Sequence, residues 1–350
     1  MTVRINQERF GEINGREVTA VTIKNSHGMT LTCLNYGGII TKILVPDASG
    51  KVENVVLGFD TVEEYEKYSP YFGAVVGRVA GRIKGGAFTL NGKTYHVTKN
   101  ENGNHLHGGH RGFSHVFWDM ETAEDHHSAS VAFFYQSPDG EEGYPGNLQM
   151  KMVYTLDDDN RFTIRYHGVS DETTLVNVTN HTYFNLSGNL IRDVLGHTLE
   201  MKSHRFLELD RSLLPTGQIL AVEDTPFDFR SGRRVEDGVR STHEQNLIAS
   251  RGYDHPFLLD RHFDREIVLT DPESGRQLIV ETDQPCVVLY TGNQLGDDFM
   301  IRGVQARKYL GLCLETQGLP DAVHHPHFPS VVLEKGGTYQ AKTIYTFCVK

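Results

Sequence analysis

The part of the sequence that decides the fold reads LQMKMVYTL (residues 148–156), DDDN (residues 157–160) and RFTIRYH (residues 161–167). In both flanking segments apolar and polar residues alternate with a period of two, which is typical of a β-strand with one buried face. The acidic tetrapeptide between them consists of residues that favour turns. The sequence therefore predicts two antiparallel strands joined by a short connection.

The same alternation continues along the chain. AFTL (residues 87–90) and KTYHV (residues 93–97) flank Asn91-Gly92, a dipeptide suited to the positive φ angles of a hairpin turn. Further strand-like runs are residues 29–34, 39–45, 131–135, 286–290 and 338–349. One short helix is expected after Thr61, which forms a capping box with Glu64. Many strands, few helices and no βαβ alternation predict an all-β, large antiparallel sandwich. No repeat or linker divides residues 1–350, which predicts a single domain.

The composition favours a small uncharged ligand. The net charge is −11, from 34 basic and 45 acidic residues, which disfavours nucleic acid and anionic membranes as partners. No segment approaches the roughly 18 apolar residues of a membrane span, and the first residues lack an apolar signal core. The four cysteines are widely spaced in apolar strands, so we expect buried free thiols and a cytoplasmic location.

Five motifs combine ionisable groups with apolar and hydrogen-bonding neighbours, as a substrate cleft requires. They are GRVAGRI (residues 77–83), NHLHGG (104–109), TNHTYFNL (179–186), YDHPF (253–257) and LCLETQ (312–317). Together, and in this order, they resemble the aldose 1-epimerase family, the galactose mutarotases. The resemblance extends from NYGG (residues 35–38) to PHFP (residues 326–329). It implies a large β-supersandwich with few short helices, and an isomerase that interconverts the α and β anomers of D-galactose or D-glucose.

Interconversion of anomers requires a base for the anomeric hydroxyl and an acid for the ring oxygen. The resemblance implies that Glu315 is the base and His181 the acid. On the residues alone, a glutamate in so apolar a strand would be buried with a raised pKa, but a strand-end glutamate in solvent stays open. His181 could equally be a core histidine. To act as an acid it must hold its proton, and we expect a neighbouring carboxylate to favour that.

The resemblance also implies that His107, Arg82 and Asp254 bind the sugar. On the residues alone, Asp254 could instead cap a turn. His105 and His107 would share one face of a strand, so a zinc site completed by His110 stays open. The resemblance disfavours a metal, and the sequence lacks a Walker loop or a dinucleotide-binding glycine pattern. We therefore expect neither a metal nor a cofactor.

Two positions depart from the pattern of some family members. Gly81 occupies a position where some have asparagine, and a glutamine found in some is absent from the strand that contains Val288. Both changes remove polar contacts at the edge of the site, which leaves the preferred aldose open. Phe72, Tyr183 and Phe257 are candidates for stacking on the sugar, and a position in the core stays open for each of them.

Three alternatives remain from the sequence. The first is a non-catalytic sugar-binding module on the same fold. The second is a metal-dependent sugar enzyme that uses His105, His107 and His110. The third is an epimerase for phosphorylated hexoses, which would need converging basic residues beyond Arg78 and Arg82. A monosaccharide is the expected partner, and the chain is expected to be a monomer or a homodimer.

Overall fold

The computed structural model describes residues 3–350, and strands dominate it. In chain order the strands are β1 Arg4–Ile13, β2 Arg16–Lys24, β3 Thr30–Leu34, β4 Ile40–Pro46, β5 Val52–Asn54, β6 Val75–Val76, β7 Arg82–Ile83, β8 Ala87–Leu90, β9 Lys93–His96, β10 His105–Leu106, β11 Asp119–Glu124, β12 Ser128–Ser137, β13 Leu148–Asp157, β14 Arg161–Ser170 and β15 Thr174–Leu175. They continue as β16 Thr179–Asn180, β17 Tyr183–Phe184, β18 Thr198–Met201, β19 Arg205–Leu209, β20 Pro215–Ala221, β21 Arg233–Arg234, β22 Asp254–Leu258, β23 Ile267–Thr270, β24 Arg276–Thr282, β25 Cys286–Tyr290, β26 Met300–Ile301, β27 Val304–Gln305, β28 Leu312–Gln317, β29 Val332–Leu333 and β30 Thr338–Val349.

Helices are few and short. The α-helices are α1 Val62–Tyr68, α2 Glu236–Arg240 and α3 Glu244–Ile248, and the 3₁₀ turns are Lys84–Gly86, Phe113–His115, Glu141–Gly143 and Ala322–His324. The predicted capping box opens α1, because the Thr61 side chain accepts from the Glu64 main chain and the Glu64 side chain accepts from the Thr61 main chain. Over residues 3–350, none of the helices has the length and apolar character that a membrane crossing requires.

Three large antiparallel sheets form the supersandwich that the resemblance implies. Their strand orders are β1-β2-β3-β4-β5, then β11-β12-β13-β14-β30-β24-β23-β18-β21, and β17-β28-β25-β22-β19-β20. The predicted strand pair is confirmed as β13 and β14, with Leu156 opposite Phe162. The predicted hairpin is confirmed as β8 and β9, with φ of 50° at Asn91 and 77° at Gly92. The prediction of one domain over residues 1–350 stays a prediction.

The six-stranded sheet has one face in the core and one face on a cleft. Leu312 and Leu314 of β28 are almost fully buried, as are Val287 and Leu289 of β25, and all four belong to the main core cluster. Successive side chains of a strand project to opposite faces. Cys313, Glu315 and Gln317 therefore project from the other face. The buried alternate residues fix which face of this sheet is available to a ligand.

The loop that leads to β7 is held by Arg78, one of the two arginines of the GRVAGRI motif. Arg78 is buried, and its guanidinium donates to the main-chain oxygens of Ser137, Pro138, Pro145 and Gly146. It also donates to the side chains of Ser137 and Thr174. These bonds occupy the polar hydrogens of the guanidinium inside the protein, where an unpaired donor would be costly. Arg78 therefore braces the loop that carries Arg82 and does not line the cleft.

Candidate active site

The floor of the candidate active site is the cleft face of the six-stranded sheet. Strand register aligns Glu315 of β28 with Val288 of β25, and Val288 with Pro256 of β22. Directly opposite residues of an antiparallel sheet project to the same side, so these three side chains form one row. The adjacent row consists of Cys313, Tyr290 and Asp254.

A cavity of about 320 Å³ lies over this floor. The structure brings all five predicted site residues to its wall, and these are Arg82, His107, His181, Asp254 and Glu315. They come from β7, the end of β10, the link between β16 and β17, β22 and β28. Residues separated by more than two hundred positions in the chain therefore meet at one cavity.

Glu315 is a buried carboxyl on the cavity floor, with 3% of its surface exposed. Burial raises its pKa well above the ordinary value, the nearby Asp254 raises it further, and Arg82 partly opposes both effects. A carboxyl with a raised pKa is a stronger base once it has lost its proton. The solvent-exposed alternative for this glutamate is wrong.

His181 lies beside Glu315, with its Nε2 3.6 Å from Glu315 Oε1. Its main chain is fixed by bonds to Ala74 and Gly73, and its Nδ1 lies 3.4 Å from the sulfur of Cys313. The imidazole is sandwiched between the rings of Tyr71 and Tyr183, at centroid distances of 5.7 and 5.1 Å. These contacts hold the ring so that Nε2 is directed towards the carboxyl.

The protonation of His181 differs from the expectation that a neighbouring carboxylate keeps it charged. Burial lowers the pKa of His181 to about 4, while it raises that of Glu315. The loss of hydration disfavours both charged forms, so burial favours the arrangement in which the proton resides on Glu315 and the imidazole is neutral. The pair still holds one proton in total, as an acid and base working together require.

His107 follows β10 and adopts a positive φ of 52°. Its Nδ1 accepts a hydrogen bond of 3.2 Å from the main-chain N–H of Gly81. Loss of hydration in the cleft lowers its pKa well below the ordinary value, and His181 and Arg82 lower it further. A neutral imidazole that accepts at Nδ1 must carry its proton on Nε2. His107 is therefore a neutral hydrogen-bond donor. The next residue must be glycine, because a Cβ on Gly108 would lie 1.8 Å from the Gly77 oxygen.

Asp254 begins β22 and lies on the floor two positions from Pro256. Its main-chain N–H donates to Nδ1 of the buried His255, whose Nε2 contacts Gln245 Oε1 at 3.1 Å. Loss of hydration in the cleft raises the pKa of Asp254, and Arg82 opposes this rise. The carboxyl is thus held on a braced strand and directed into the cavity, which does not fit the turn-capping alternative.

The zinc site of His105, His107 and His110 does not form. His105 is buried, with Nδ1 bonded to the Thr98 oxygen and Nε2 to the hydroxyl of Tyr144. His110 is exposed. Among the described residues, His107, His181 and Glu315 do place ligand-type atoms within 4.8 Å of one another. However, a metal-binding histidine usually donates its second N–H, whereas His107 accepts there from Gly81. The donor set therefore fits a metal ion poorly.

Several cavity residues were not singled out from the sequence. Of the three proposed stacking aromatics only Tyr183 reaches the cavity, because Phe72 and Phe257 are fully buried in the core. The missed lining residues include Tyr71, Tyr290, Gln317 and Glu101. Gln317 could have been found, since it lies two positions from Glu315 on the same strand face. Nothing in the local sequence distinguishes Glu101.

Both departures from the family pattern lie at the cavity. Gly81 and Val288 line it, and Val288 is directly opposite Glu315 in the strand register. An apolar side chain at this point adds to the low polarity around the carboxyl, which favours its raised pKa.

The fold and the cleft together define an all-β protein whose cavity pairs a buried carboxyl with an imidazole. The family model described as aldose 1-epimerase matches residues 19–346. The chain is 40% identical to galactose mutarotase from Rattus norvegicus over 354 residues, 99% of each chain. It is also 34% identical to aldose 1-epimerase from Escherichia coli over 340 residues, 95% of this chain and 96% of that one.

Solved structures agree with these sequence relatives. A galactose 1-epimerase from Lactobacillus acidophilus superposes with a TM-score of 0.89 at 30% identity, covering 99% of both chains. An aldose epimerase homologue from C. elegans has a TM-score of 0.84 at 31% identity, covering 93% of this chain and 97% of that one. The chain belongs to the aldose 1-epimerase family, and it is an isomerase.

Proposed function

We propose that the protein interconverts the α and β anomers of D-galactose and D-glucose, with Glu315 as the base and His181 as the acid. The observation that carries this proposal is the 3.6 Å contact between His181 Nε2 and Glu315 Oε1 inside the cavity. The galactose mutarotases at 40% identity support the choice of sugar.

Ring opening moves one proton onto the pair and one proton off it. In the reactive arrangement the proton of the pair is on His181 and Glu315 is a carboxylate. This arrangement has the same total charge as the one in which the proton is on Glu315. The Glu315 carboxylate takes the proton of the anomeric hydroxyl while His181 Nε2 donates to the ring oxygen. The C1–O5 bond breaks as the C1–O1 bond becomes a carbonyl, and the pair again holds one proton.

Reclosure uses the same two groups in the opposite direction. Rotation about the C1–C2 bond presents the other face of the carbonyl to the C5 hydroxyl. His181 takes the proton of that hydroxyl, and Glu315 returns its proton to O1 as the ring bond forms. One site therefore serves both anomers and needs no change of protonation between turnovers.

His107, Arg82 and Asp254 hold and polarise the sugar in this proposal. The Nε2–H of the neutral His107 donates near the ring oxygen or O1, where negative charge develops. Arg82 donates to sugar hydroxyls and Asp254 accepts from them. Donors already in position at the site of developing charge lower the barrier without reorganisation during the reaction.

The test of the function is polarimetry of freshly dissolved α-D-galactose with and without the protein. We expect a catalysed approach to the equilibrium rotation, first order in protein. A rate equal to the uncatalysed rate, with ligand binding intact, would instead favour the non-catalytic sugar-binding module.

The pH dependence of kcat/KM follows from the proton on the pair. The pKa of His181 is lowered to about 4. Below that pH both His181 and Glu315 are protonated, so the pair holds two protons and no base remains. As the pH rises through the pKa of Glu315 the pair loses its proton and no acid remains, and this loss lies above the ordinary carboxyl range because that pKa is raised. After subtraction of the uncatalysed rate, we expect a rate that is level above about pH 5 and falls only at the raised pKa of Glu315. An acidic limb centred near pH 6.5, the ordinary histidine value, in place of one near pH 4 would contradict this protonation scheme.

Removal of metal ions is expected to leave the rate unchanged. The proposed chemistry uses proton transfer alone, and the tautomer of His107 opposes ligation. Polarimetric rates before and after dialysis against EDTA should agree within about two-fold, the scatter expected when no interaction worth as much as ~1 kcal/mol is lost. A loss of activity that added Zn²⁺ restores would overturn the metal-free mechanism.

The remaining parts of the proposal concern partners and location. A monosaccharide is the partner, the net charge of −11 opposes nucleic acid, and the chain acts as a monomer or a homodimer. A cytoplasmic location is supported by four cysteines without disulfides, of which Cys33, Cys286 and Cys313 are buried. Cys348 is exposed, contrary to the expectation that all four are buried.

A further inference from the structure

Arg82 reaches the cavity already engaged with Glu101. Its Nε donates to Glu101 Oε2 and its Nη2 to Glu101 Oε1, each at 2.6 Å. This is the two-pronged geometry in which a guanidinium binds a carboxylate or a phosphate. Among residues 3–350 no hydrogen bond involves Arg82 Nη1. Both N–H groups of Nη1 and the second N–H of Nη2 therefore remain for a sugar, while the Nε–Nη2 edge is filled by a carboxylate that balances the charge of the guanidinium.

Glu101 is held in place by a tight turn. Asn102 and Gly103 have φ of 47° and 83°, and the main chains of Glu101 and Asn104 bond in both directions at 3.1 and 2.8 Å. These are the features of the two-residue turn that Asn-Gly favours.

The turn is tied to the strand pair that carries Arg82. The side chain of Asn100 bonds both the N–H and the oxygen of Leu106, and Leu106 is the strand partner of Arg82. Glu101 and Arg82 therefore stand on adjoining, fixed segments of backbone. Little side-chain entropy is lost when they pair, which favours a persistent ion pair over a fluctuating one.

The charges around the cavity are unbalanced. Within the described part of the chain, Arg82 is the only arginine or lysine that lines the cavity. The lining acids are Glu101, Asp254, Asp298 and Glu315. An aldose with a carboxylate or phosphate would meet these acids and a single guanidinium whose charge Glu101 already balances. A neutral aldose needs only hydroxyl contacts, which the remaining N–H groups of Arg82 and the carboxyl of Asp254 supply.

We propose that Glu101 is a specificity-determining residue, which balances the charge of Arg82, occupies its Nε–Nη2 edge and thereby restricts the site to uncharged aldoses. This inference rests on the proposed function and identifies the substrate class of the same site. Discrimination arises from an unfavourable arrangement for the wrong substrate as well as from contacts to the right one. Glu101 also positions Arg82 for the neutral sugar, but it does not itself take part in the proton transfers.

The test compares D-galactose with D-galacturonate. The two sugars undergo the same reaction and have nearly the same size, and they differ in that a carboxylate replaces the C6 hydroxymethyl group. Mutarotation of both is followed by polarimetry with the unaltered protein, with Glu101→Gln and with Asp298→Asn. The Asp298 variant is the matched control, because it removes one negative charge from the exposed edge of the same cavity but releases no guanidinium.

For the unaltered protein we expect kcat/KM for D-galacturonate to be at least ~100-fold below that for D-galactose, since like-charge contacts cost several kcal/mol. Glu101→Gln should narrow this ratio by ~10-fold or more, the usual worth of a hydrogen bond to a charged group. The same variant should raise KM for D-galactose more than it lowers kcat. Asp298→Asn should change the ratio by less than about three-fold, as expected of an exposed charge. The proposal would be overturned if Glu101→Gln changed kcat/KM equally for both sugars. It would also be overturned if Glu101→Gln and Asp298→Asn narrowed the kcat/KM ratio of the two sugars equally.

Binding measurements separate this inference from the proposed function. If the unaltered protein does not accelerate D-galactose mutarotation, the proposed function fails, and the ratio of affinities for the two sugars is then measured by calorimetry. Tighter D-galacturonate binding in Glu101→Gln alone supports the role of Glu101. An unchanged affinity ratio contradicts it. Thermal unfolding of each variant verifies that the fold is retained.

Discussion

Mutarotation of D-galactose is expected to slow by about 10²–10⁴-fold in kcat when Glu315 is replaced by glutamine, the usual worth of a positioned acid or base. Glutamine has nearly the same shape as glutamate, and it can still donate or accept a hydrogen bond at the cavity floor. It cannot accept the proton of the anomeric hydroxyl at any accessible pH. Polarimetry with freshly dissolved α-D-galactose, at several sugar concentrations, measures kcat and KM separately.

The control for this variant is Glu200→Gln, which makes the same chemical change at an exposed position of β18. Its rate should equal that of the unaltered protein. Because a buried uncharged amide is no harder to accommodate than a buried protonated carboxyl, Glu315→Gln should also keep its thermal stability at neutral pH. A folded Glu315→Gln protein with an unchanged kcat would remove Glu315 from the mechanism.

Replacing His181 by asparagine is expected to lower kcat by a similar factor of about 10²–10⁴, because the ring oxygen then loses its proton donor. A second signature distinguishes this loss from a general distortion of the site. The fall in rate below about pH 4 reflects the second proton on His181. In the variant the acidic limb should move up to the raised pKa of Glu315, because protonation of that carboxylate alone then removes the base. His167→Asn, on the exposed face of β14, is the matched control.

Full activity in a folded His181→Asn protein would contradict its assignment as the acid. The double variant adds a further check on the pairing. Residues that act as a unit give losses that are far from additive. Glu315→Gln combined with His181→Asn should therefore cost about as much as the more damaging single change. A loss equal to the product of the two single losses would mean that the groups act independently.

Local sequence predicted the elements whose geometry is determined by near neighbours. The hairpin at Asn91-Gly92, the helix after Thr61 and the strand pair joined by residues 157–160 all formed as expected. In each case the signal spans a few residues, because turn dihedrals, capping bonds and strand alternation are short-range properties. The overall topology was available only through the resemblance to a known family. Alternation alone does not determine which of the thirty strands in residues 3–350 are neighbours.

For the same reason, only some of the site residues were predicted from the sequence. The five motif residues were found, because the resemblance marks them individually. Glu101 was missed, since its importance arises only when the Asn-Gly turn brings it to Arg82. Phe72 and Phe257 were proposed for the cavity but pack in the core, because side-chain direction depends on register and not on residue type.

The sequence by itself determined the all-β character of this protein, its short local elements and the residue types available for acid–base chemistry. The tertiary structure alone decided that residues 181 and 315 are neighbours and that burial raises the pKa of the carboxyl while it lowers that of the imidazole. Hydration is lost through the combined packing of side chains from many strands. No single segment of the chain encodes this loss of hydration.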